Sequence, residues 1–226
     1  AGTFFEGVRE IPPATNVIIS MKSDDYTISS AKRYWSLKYN PYKMKANEAN
    51  ETLKEKLISA VKIRMRSDVP LAFCLSGGVD SSTIAAIACK ILNHSISTFS
   101  IIDDDERYNE MDEINLNVKS LKSKHFFIKT DKTNVMEKLE RQIAFRNAPV
   151  FTLSYFMHAQ ISESMNKEGF KVSISGTGAD ELFTGYYDHY NFWLAEMSQK
   201  KNFNDLINDW KQGYGKNVRN DYLKDP

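Results

Sequence analysis

Cysteine is almost missing: the 226 residues contain two, Cys74 and Cys89. That excludes a disulfide-stapled secreted fold. The pair stands in a strand-like and a helix-like stretch, where small core residues suit better than a bridge or a metal site. A reducing, cytoplasmic setting is therefore expected. Long apolar runs are absent as well, since nothing approaches the roughly 18 residues of a membrane span. The opening A-G-T-F-F-E-G lacks the charged start and apolar centre of a signal peptide. Neither sign of charge is in excess: 30 basic residues stand against 29 acidic ones, a net of +1. No global field then recruits nucleic acid or a membrane surface, so neither is expected as a partner, and any anionic ligand must be gathered locally. No repeat or low-complexity tract is present. What remains is ordinary globular composition, 42% hydrophobic and 26% charged, sufficient for one substantial core.

One further absence is informative. The chain has no G-x-x-x-x-G-K-[ST], and no lysine follows its glycine pair. It has instead L-A-F-C-L-S-G-G-V-D-S-S-T-I-A-A-I-A-C-K, Leu71 to Lys90. Leu71 to Leu75 form a short apolar run suited to a strand buried on both faces of a parallel sheet. The glycines force a turn. From Ser81 onward Ile84, Ala88, Ile91 and Leu92 share a helical face, so the stretch reads strand, tight loop, helix. Such a loop leaves backbone N–H groups and the positive end of a helix pointing outward, a ready site for phosphate oxygens. Ser76, Ser81 and Ser82 add hydroxyls, and Gly77 and Gly78 let the backbone approach a ligand. Asp80 would be repelled by phosphate unless a cation lies between them, which makes it a candidate Mg²⁺ ligand. S-G-G-V-D-S resembles the pyrophosphate-binding loop (PP-loop) of the ATP pyrophosphatases. The plainer alternative is a glycine-serine turn between a strand and a helix.

Residues 1–38 differ in texture, with short β-rich runs at Val17–Ser20 and Tyr26–Ile28 and a turn at Pro12-Pro13. They read as the last strands of a sheet whose other strands lie upstream, or as a small β-subdomain. A linker at residues 40–45 leads to a helix over Asn47–Met65 with Leu53, Leu57, Val61 and Met65 on one stripe. After the central strand, Ile96–Ile102 predicts a second strand, Glu110–Lys122 a helix, and His125–Ile128 a third strand. Asp131 or Thr133 is expected to cap a helix reaching about Phe145; another helix carries Leu153, Phe156, Met157, Ile161 and Met165 to Gly169, and Phe170–Ile174 gives a fourth strand. Asp103 to Glu106 form an acidic cluster at a strand end, read as an exposed loop or a metal site. The alternation over residues 71–174 predicts an α/β fold, a parallel sheet with helices on both faces. Residues 46–226 form this domain, and the aromatic helices after Tyr186 must pack on something.

Directly after the fourth strand stands S-G-T-G-A-D-E-L-F-T-G-Y, Ser175 to Tyr186. It has the same design as the first loop: a strand end, small residues, then Asp180. Two such loops could grip one nucleotide and share one Mg²⁺ between Asp80 and Asp180. Glu181 could orient the loop, join the metal shell, or serve only as a helix-start carboxylate.

Together, S-D-V-P-L-A-F-C-L-S-G-G-V-D-S-S and I-S-G-T-G-A-D-E-L-F-T-G-Y resemble the synthetase domain of glutamine-dependent asparagine synthetase. T-F-F-E-G-V-R-E-I-P-P-A is similar to the segment closing that family's glutaminase domain. The resemblance implies an adenine nucleotide alpha hydrolase-like fold preceded by a glutaminase remnant. It also implies an amidotransferase that uses ATP to adenylate a carboxylate, releases pyrophosphate, and lets ammonia from a glutaminase domain displace AMP. On that pattern Ser76, Gly77, Gly78, Asp80, Ser81 and Ser82 bind the pyrophosphate moiety. Cys74, Leu75 and Ile101 line the adenine pocket, Ser175 and Gly176 touch the nucleotide, and Asp80 and Asp180 hold Mg²⁺. Three departures stand out. Thr177 occupies a position where asparagine synthetases commonly carry glutamate, which opens aspartate or another carboxylate, such as a sugar acid, as acceptor. The family's N-terminal cysteine nucleophile is not in this chain, and its later arginine-lysine stretch is not met before Pro226, so the expectation is a chain truncated at both ends. A homodimer is compatible with the resemblance. Two other readings are an ATP pyrophosphatase that adenylates a base in RNA, against which the balanced charge counts, and a non-catalytic ATP-binding module.

Overall fold

A computed structural model describes residues 2–23, 25–41, 43–106, 109–218 and 223. In chain order the elements are strands β1 (Thr15–Asn16), β2 (Ile19–Lys22), β3 (Asp25–Ile28) and β4 (Lys32–Arg33), helix α1 (Ala46–Arg64), strand β5 (Leu71–Cys74) and helix α2 (Val79–Ala86). A π-helical turn over Ile87–Ile91 follows, then β6 (Ser97–Ile102), α3 (Met111–Leu121), β7 (Lys124–Lys129), α4 (Val135–Arg146) and α5 (Leu153–Lys167). The chain continues with β8 (Val172–Ile174), α6 (Ala179–Phe183), α7 (Tyr187–Met197) and α8 (Phe203–Gln212). Two compact units result, one made of residues up to Leu57 with Thr133–Phe156, the other of Ile58–Lys132 with everything from Met157 onward.

In the first unit β1 pairs with β4 and β2 with β3, both antiparallel. The β2–β3 hairpin lies about two residues later than the run at Val17–Ser20 suggests. Its register pairs Ile19 with Ile28 and Lys22 with Asp25, and Ser23 takes a positive φ of 52° beside the turn. Turn geometry, more than the first apolar residue, sets where a hairpin starts. Phe4 packs on Phe151 at 5.5 Å, and the Arg146 guanidinium lies 4.1 Å from the Tyr155 ring centroid. Asp131 and Thr133 do not cap α4: Asn134 precedes it in a left-handed conformation, and the Asp131 N–H donates to Gln160 Oε1.

The second unit is organised on a parallel sheet of order β7-β6-β5-β8. Side chains alternate across it. On one face Ala72 and Phe99 pack with Ile161 and Met165 of α5, joined by Cys74, Ile101, Phe126, Ile128 and Phe170. Phe99 has no exposed surface, stacks on Phe126 at 4.6 Å, and meets Phe170 edge-on. Burial of a ring this size contributes about 1.5–3 kcal/mol. The other face carries Phe73, Thr98 and Ser100, all buried, with α2 contacting β5 and α3 contacting β6. The polar residues there are satisfied: Thr98 Oγ1 bonds Ser123 Oγ and His125 Nδ1, and the Ser100 hydroxyl donates to the Leu75 carbonyl. Both faces are thus covered by helices, as the alternation predicts. Cys74 and Cys89 are free thiols, and burial pushes both up. The aromatic tail packs on itself, with Trp210 buried and Tyr187 and Tyr214 around it. Among the described residues no helix is long and apolar enough to cross a membrane.

Candidate active site

The strand order decides where a site can form. The chain runs outward from β5 through β6 to β7, then returns to place β8 on the other side of β5. The side on which successive strands are added therefore switches at β5, while β5 and β8 stay parallel, and in open parallel sheets ligands bind beyond the carboxyl ends at such a switch point. The loops that leave β5 and β8 are the two glycine-bearing motifs.

The first loop is tightly bonded to itself. The Ser76 N–H donates to Ser81 Oγ at 3.0 Å, the two serine hydroxyls lie 2.9 Å apart, and the Gly78 N–H donates to Ser76 Oγ at 3.2 Å. Ser82 Oγ donates to the Gly78 and Val79 carbonyls. Helix α2 begins at Val79, two residues before the apolar periodicity suggests, because Gly78 is its extended N-cap (φ −71°, ψ 154°). Asp80 consequently stands in the first helical turn. The outward donors are then the first amides of α2, which have no intrahelical acceptor.

The second loop lies against the first. A Cβ placed on Gly176 would sit 2.8 Å from Ser81 N and 2.9 Å from Asp80 Cβ. Only a glycine permits that approach. Burial and the neighbouring charge of Asp180 both push the Asp80 carboxyl above the usual carboxylate range. Ser175 Oγ donates to Thr177 Oγ1 at 3.1 Å, and Thr177 is exposed. Gly178, with φ 97°, turns the chain into α6, where a Cβ is unfavourable. The loop closes as the Gly185 N–H donates to the Asp180 carbonyl, and a Cβ on Gly185 would collide with the Asp180 carboxylate.

The structure thus gathers Ser76, Gly77, Gly78, Asp80, Ser81, Ser82, Ser175, Gly176, Thr177 and Asp180 at adjoining strand ends. Cys74 and Ile101 lie on the neighbouring strands β5 and β6 with side chains in the α5-facing core, and Leu75 is buried just beyond β5. Glu181, beside Asp180, accepts a 2.7 Å bond from Tyr186 OH, which holds its carboxyl low. The acidic cluster behaves as a loop, with Asp103 paired to Lys132 at 2.9 Å and Asp104 to Lys129 at 3.0 Å. Two participants were not visible in the sequence. Glu110 accepts the Gly77 N–H at 3.0 Å from 33 residues away. The Tyr214 phenol donates to the Gly185 carbonyl at 3.5 Å and is pushed up by burial and by Asp180. No pattern around either residue announces its partner; only the strand order does.

The asparagine synthase family model matches residues 52–225, more than half of the chain. The chain belongs to the asparagine synthase family. Among curated relatives, amidase chyE of Penicillium rubens is 28% identical over 203 residues, covering 81% of this chain and 30% of that protein. Asparagine synthetase (glutamine-hydrolyzing) 1 of Bacillus subtilis is 26% identical over 197 residues, covering 85% and 29%. The chain therefore spans about a third of the length of these relatives. Among solved structures, the NH3-dependent NAD synthetase of Campylobacter jejuni overlaps with a TM-score of 0.40 at 13% identity, over 77% of this chain and 89% of that one. Membership in the asparagine synthase family rests on the sequence match.

Proposed function

We propose that the chain is the nucleotide-binding synthetase part of an ATP-dependent, amide-forming ligase. A carboxylate oxygen attacks the α-phosphorus of ATP, pyrophosphate leaves, and ammonia then displaces AMP from the acyl carbon with loss of a proton. The observation that carries this reading is the contact of Gly176 with Asp80 and Ser81 at the β5/β8 switch point. It brings two strand-end loops within reach of one triphosphate. Ser76, Gly77, Gly78, Ser81 and Ser82 cradle the pyrophosphate moiety, Ser175 and Gly176 meet the nucleotide from the other loop, and Cys74, Leu75 and Ile101 stand beside the adenine. Fixed donors aimed at the leaving group stabilise charge where it develops. The first amides of α2, which have no intrahelical acceptor, can do this without reorganising, while the Ser76, Ser81 and Ser82 hydroxyls must first turn from the partners they hold within the loop.

A divalent cation fits the donor set. Asp80 and Asp180 are hard carboxylates on facing loops; Asp80 is held above its usual range by burial and, after that, by the charge of Asp180, a repulsion that a shared Mg²⁺ would remove. When bound, the ion neutralises charge on the departing pyrophosphate. The synthetase part spans residues 46–226 in sequence, although its residues up to Leu57 and Thr133–Phe156 group with the N-terminal strands as a compact unit; the exposed apolar side chains of residues 1–38, such as Ile19, Met21 and Tyr26, suit the closing strands of a glutaminase-type domain that supplies ammonia.

The acceptor is aspartate or another carboxylate. Thr177 favours the second, because an exposed hydroxyl cannot act as a carboxylate base. Pyrophosphate release from Mg-ATP, measured with a panel of carboxylic acids plus ammonia, tests the proposal. Release strictly dependent on one acid is expected; tight ATP binding without turnover on any acid would replace the ligase with a binding module. Thr177→Glu is expected to shift the preference between acids or the use of ammonia by about a hundredfold, the lower end of what a positioned acid-base group contributes. Identical kinetics on every acid would remove Thr177 from the second half-reaction.

A further inference from the structure

The first loop has three successive backbone donors, at Ser76, Gly77 and Gly78. Two are satisfied inside the loop, by Ser81 Oγ and Ser76 Oγ. The third leaves it: the Gly77 N–H donates to Glu110 Oε2 at 3.0 Å. Glu110 stands at the N-cap of α3, immediately before the helix begins, with φ −115° and ψ 24°. The start of α3 crowds Gly77 with side-chain atoms too, since a Cβ on Gly77 would lie 2.8 Å from Glu113 Cβ and 3.1 Å from Glu110 Cβ. A pair of glycines has the freest backbone a chain can have. Within the loop the peptide between Ser76 and Gly77 is held only on its carbonyl side, by a long 3.4 Å bond from Ser81 Oγ to the Ser76 carbonyl; its N–H is oriented by Glu110.

We propose that Glu110 is a positioning residue for the pyrophosphate loop, holding the Gly77 peptide from behind so that the first amides of α2 face the phosphates. This rests on the nucleotide-site reading above. A carboxylate is a costly neighbour for a phosphate, so its place here needs a compensating role, and a charge-assisted bond to a backbone N–H is a strong anchor. By taking the Gly77 donor, Glu110 also keeps the loop from turning that N–H outward. The donors left for the ligand are those of Val79, Asp80 and Ser81, all fixed to the start of one helix.

The test is binding of Mg-pyrophosphate by calorimetry, together with hydrogen exchange at the Gly77 amide. Wild type is expected to bind and to protect that amide. Glu110→Ala and Glu110→Met, which offer no acceptor, are expected to lose the protection and to bind about tenfold or more weakly, the scale of one hydrogen bond to a charged group. Glu110→Gln keeps a carbonyl oxygen within reach and is expected to stay within about threefold of wild type, with the amide protected. A purely structural role would follow melting temperature and show no such rescue. Wild-type-like or tighter binding by the alanine or methionine variant overturns the proposal. So does a folded glutamine variant that binds about tenfold or more weakly than wild type, an outcome that decides the matter even when the other two fail to fold. Absence of binding by wild type to both Mg-pyrophosphate and Mg-ATP removes the nucleotide site itself, and the positioning role with it.

Discussion

Gly176→Ala is expected to lower pyrophosphate release by about a hundredfold or more while the protein stays folded, because a reacting geometry displaced by about 1 Å loses that much. The added Cβ would meet Ser81 N at 2.8 Å, Asp80 Cβ at 2.9 Å and Asp80 C at 3.1 Å. Two of these are backbone atoms of α2, which cannot swing aside as the end of a long side chain can. The two loops must therefore part, and Asp80 and Asp180 with them. Gly169→Ala supplies the contrast. Gly169 has φ 86° with nothing within 4 Å of the added atom, so the substitution strains the backbone, costs stability of about 1 kcal/mol, and leaves release per folded molecule unchanged. Equal loss of release in both variants would mean that the Gly176 contact has no special bearing on the chemistry.

The second large effect is expected at Asp80. Asp80→Asn should reduce Mg-dependent pyrophosphate release by about a thousandfold, since it removes one of two charges facing a cation that neutralises a leaving group. The same variant should be somewhat more stable than wild type at neutral pH. The sign follows from the raised carboxyl, whose causes are burial and then Asp180. A carboxyl with a higher pKa folded than unfolded binds more protons in the native state over the interval between the two values. Native stability therefore falls as pH rises from the ordinary aspartate range through the raised folded value, and the deficit persists above it. Asparagine has no such deficit, so the melting curves of the two proteins should coincide in acid and separate as pH rises through that interval. Solvent around Asp80 keeps the gap small. Asp80→Asn melting below wild type at pH 7 would show that the two carboxylates are not in conflict, and undamaged release would remove the metal assignment.

Much of the second unit was legible because its signals are local. The run Leu71–Leu75, the glycine pair and the small-residue helix after it state strand, turn and helix within twenty or so residues, and β6, α3, β7 and α5 lie within two or three residues of their sequence-predicted limits. Both site loops were recognisable from their glycines, serines and aspartates. What could not be read is whatever depends on which strand lies beside which. Alternation shows that a parallel sheet forms, but only the order β7-β6-β5-β8 brings α3 to the β5 loop and so carries Glu110 to Gly77. From sequence Glu110 is one acidic residue at a helix start. Helix α2 starts two residues ahead of its apolar periodicity, which begins only after the turn that Gly78 caps. The π-helical turn over Ile87–Ile91, with the Leu92 N–H reaching back to the Ile87 carbonyl, follows an apolar pattern that an unbroken α-helix would also satisfy.

The sheet order has a mechanical corollary. β5 is hydrogen-bonded along both sides, whereas β8 has three residues and, among the described residues, one neighbour. Of the two loops of the proposed nucleotide site, one leaves the centre of the sheet and the other leaves its rim. The rim loop is the compliant one, so its amides should exchange with solvent sooner. If the proposed nucleotide site holds, substitutions in the rim loop should alter acceptor preference while leaving phosphate binding by the central loop unchanged.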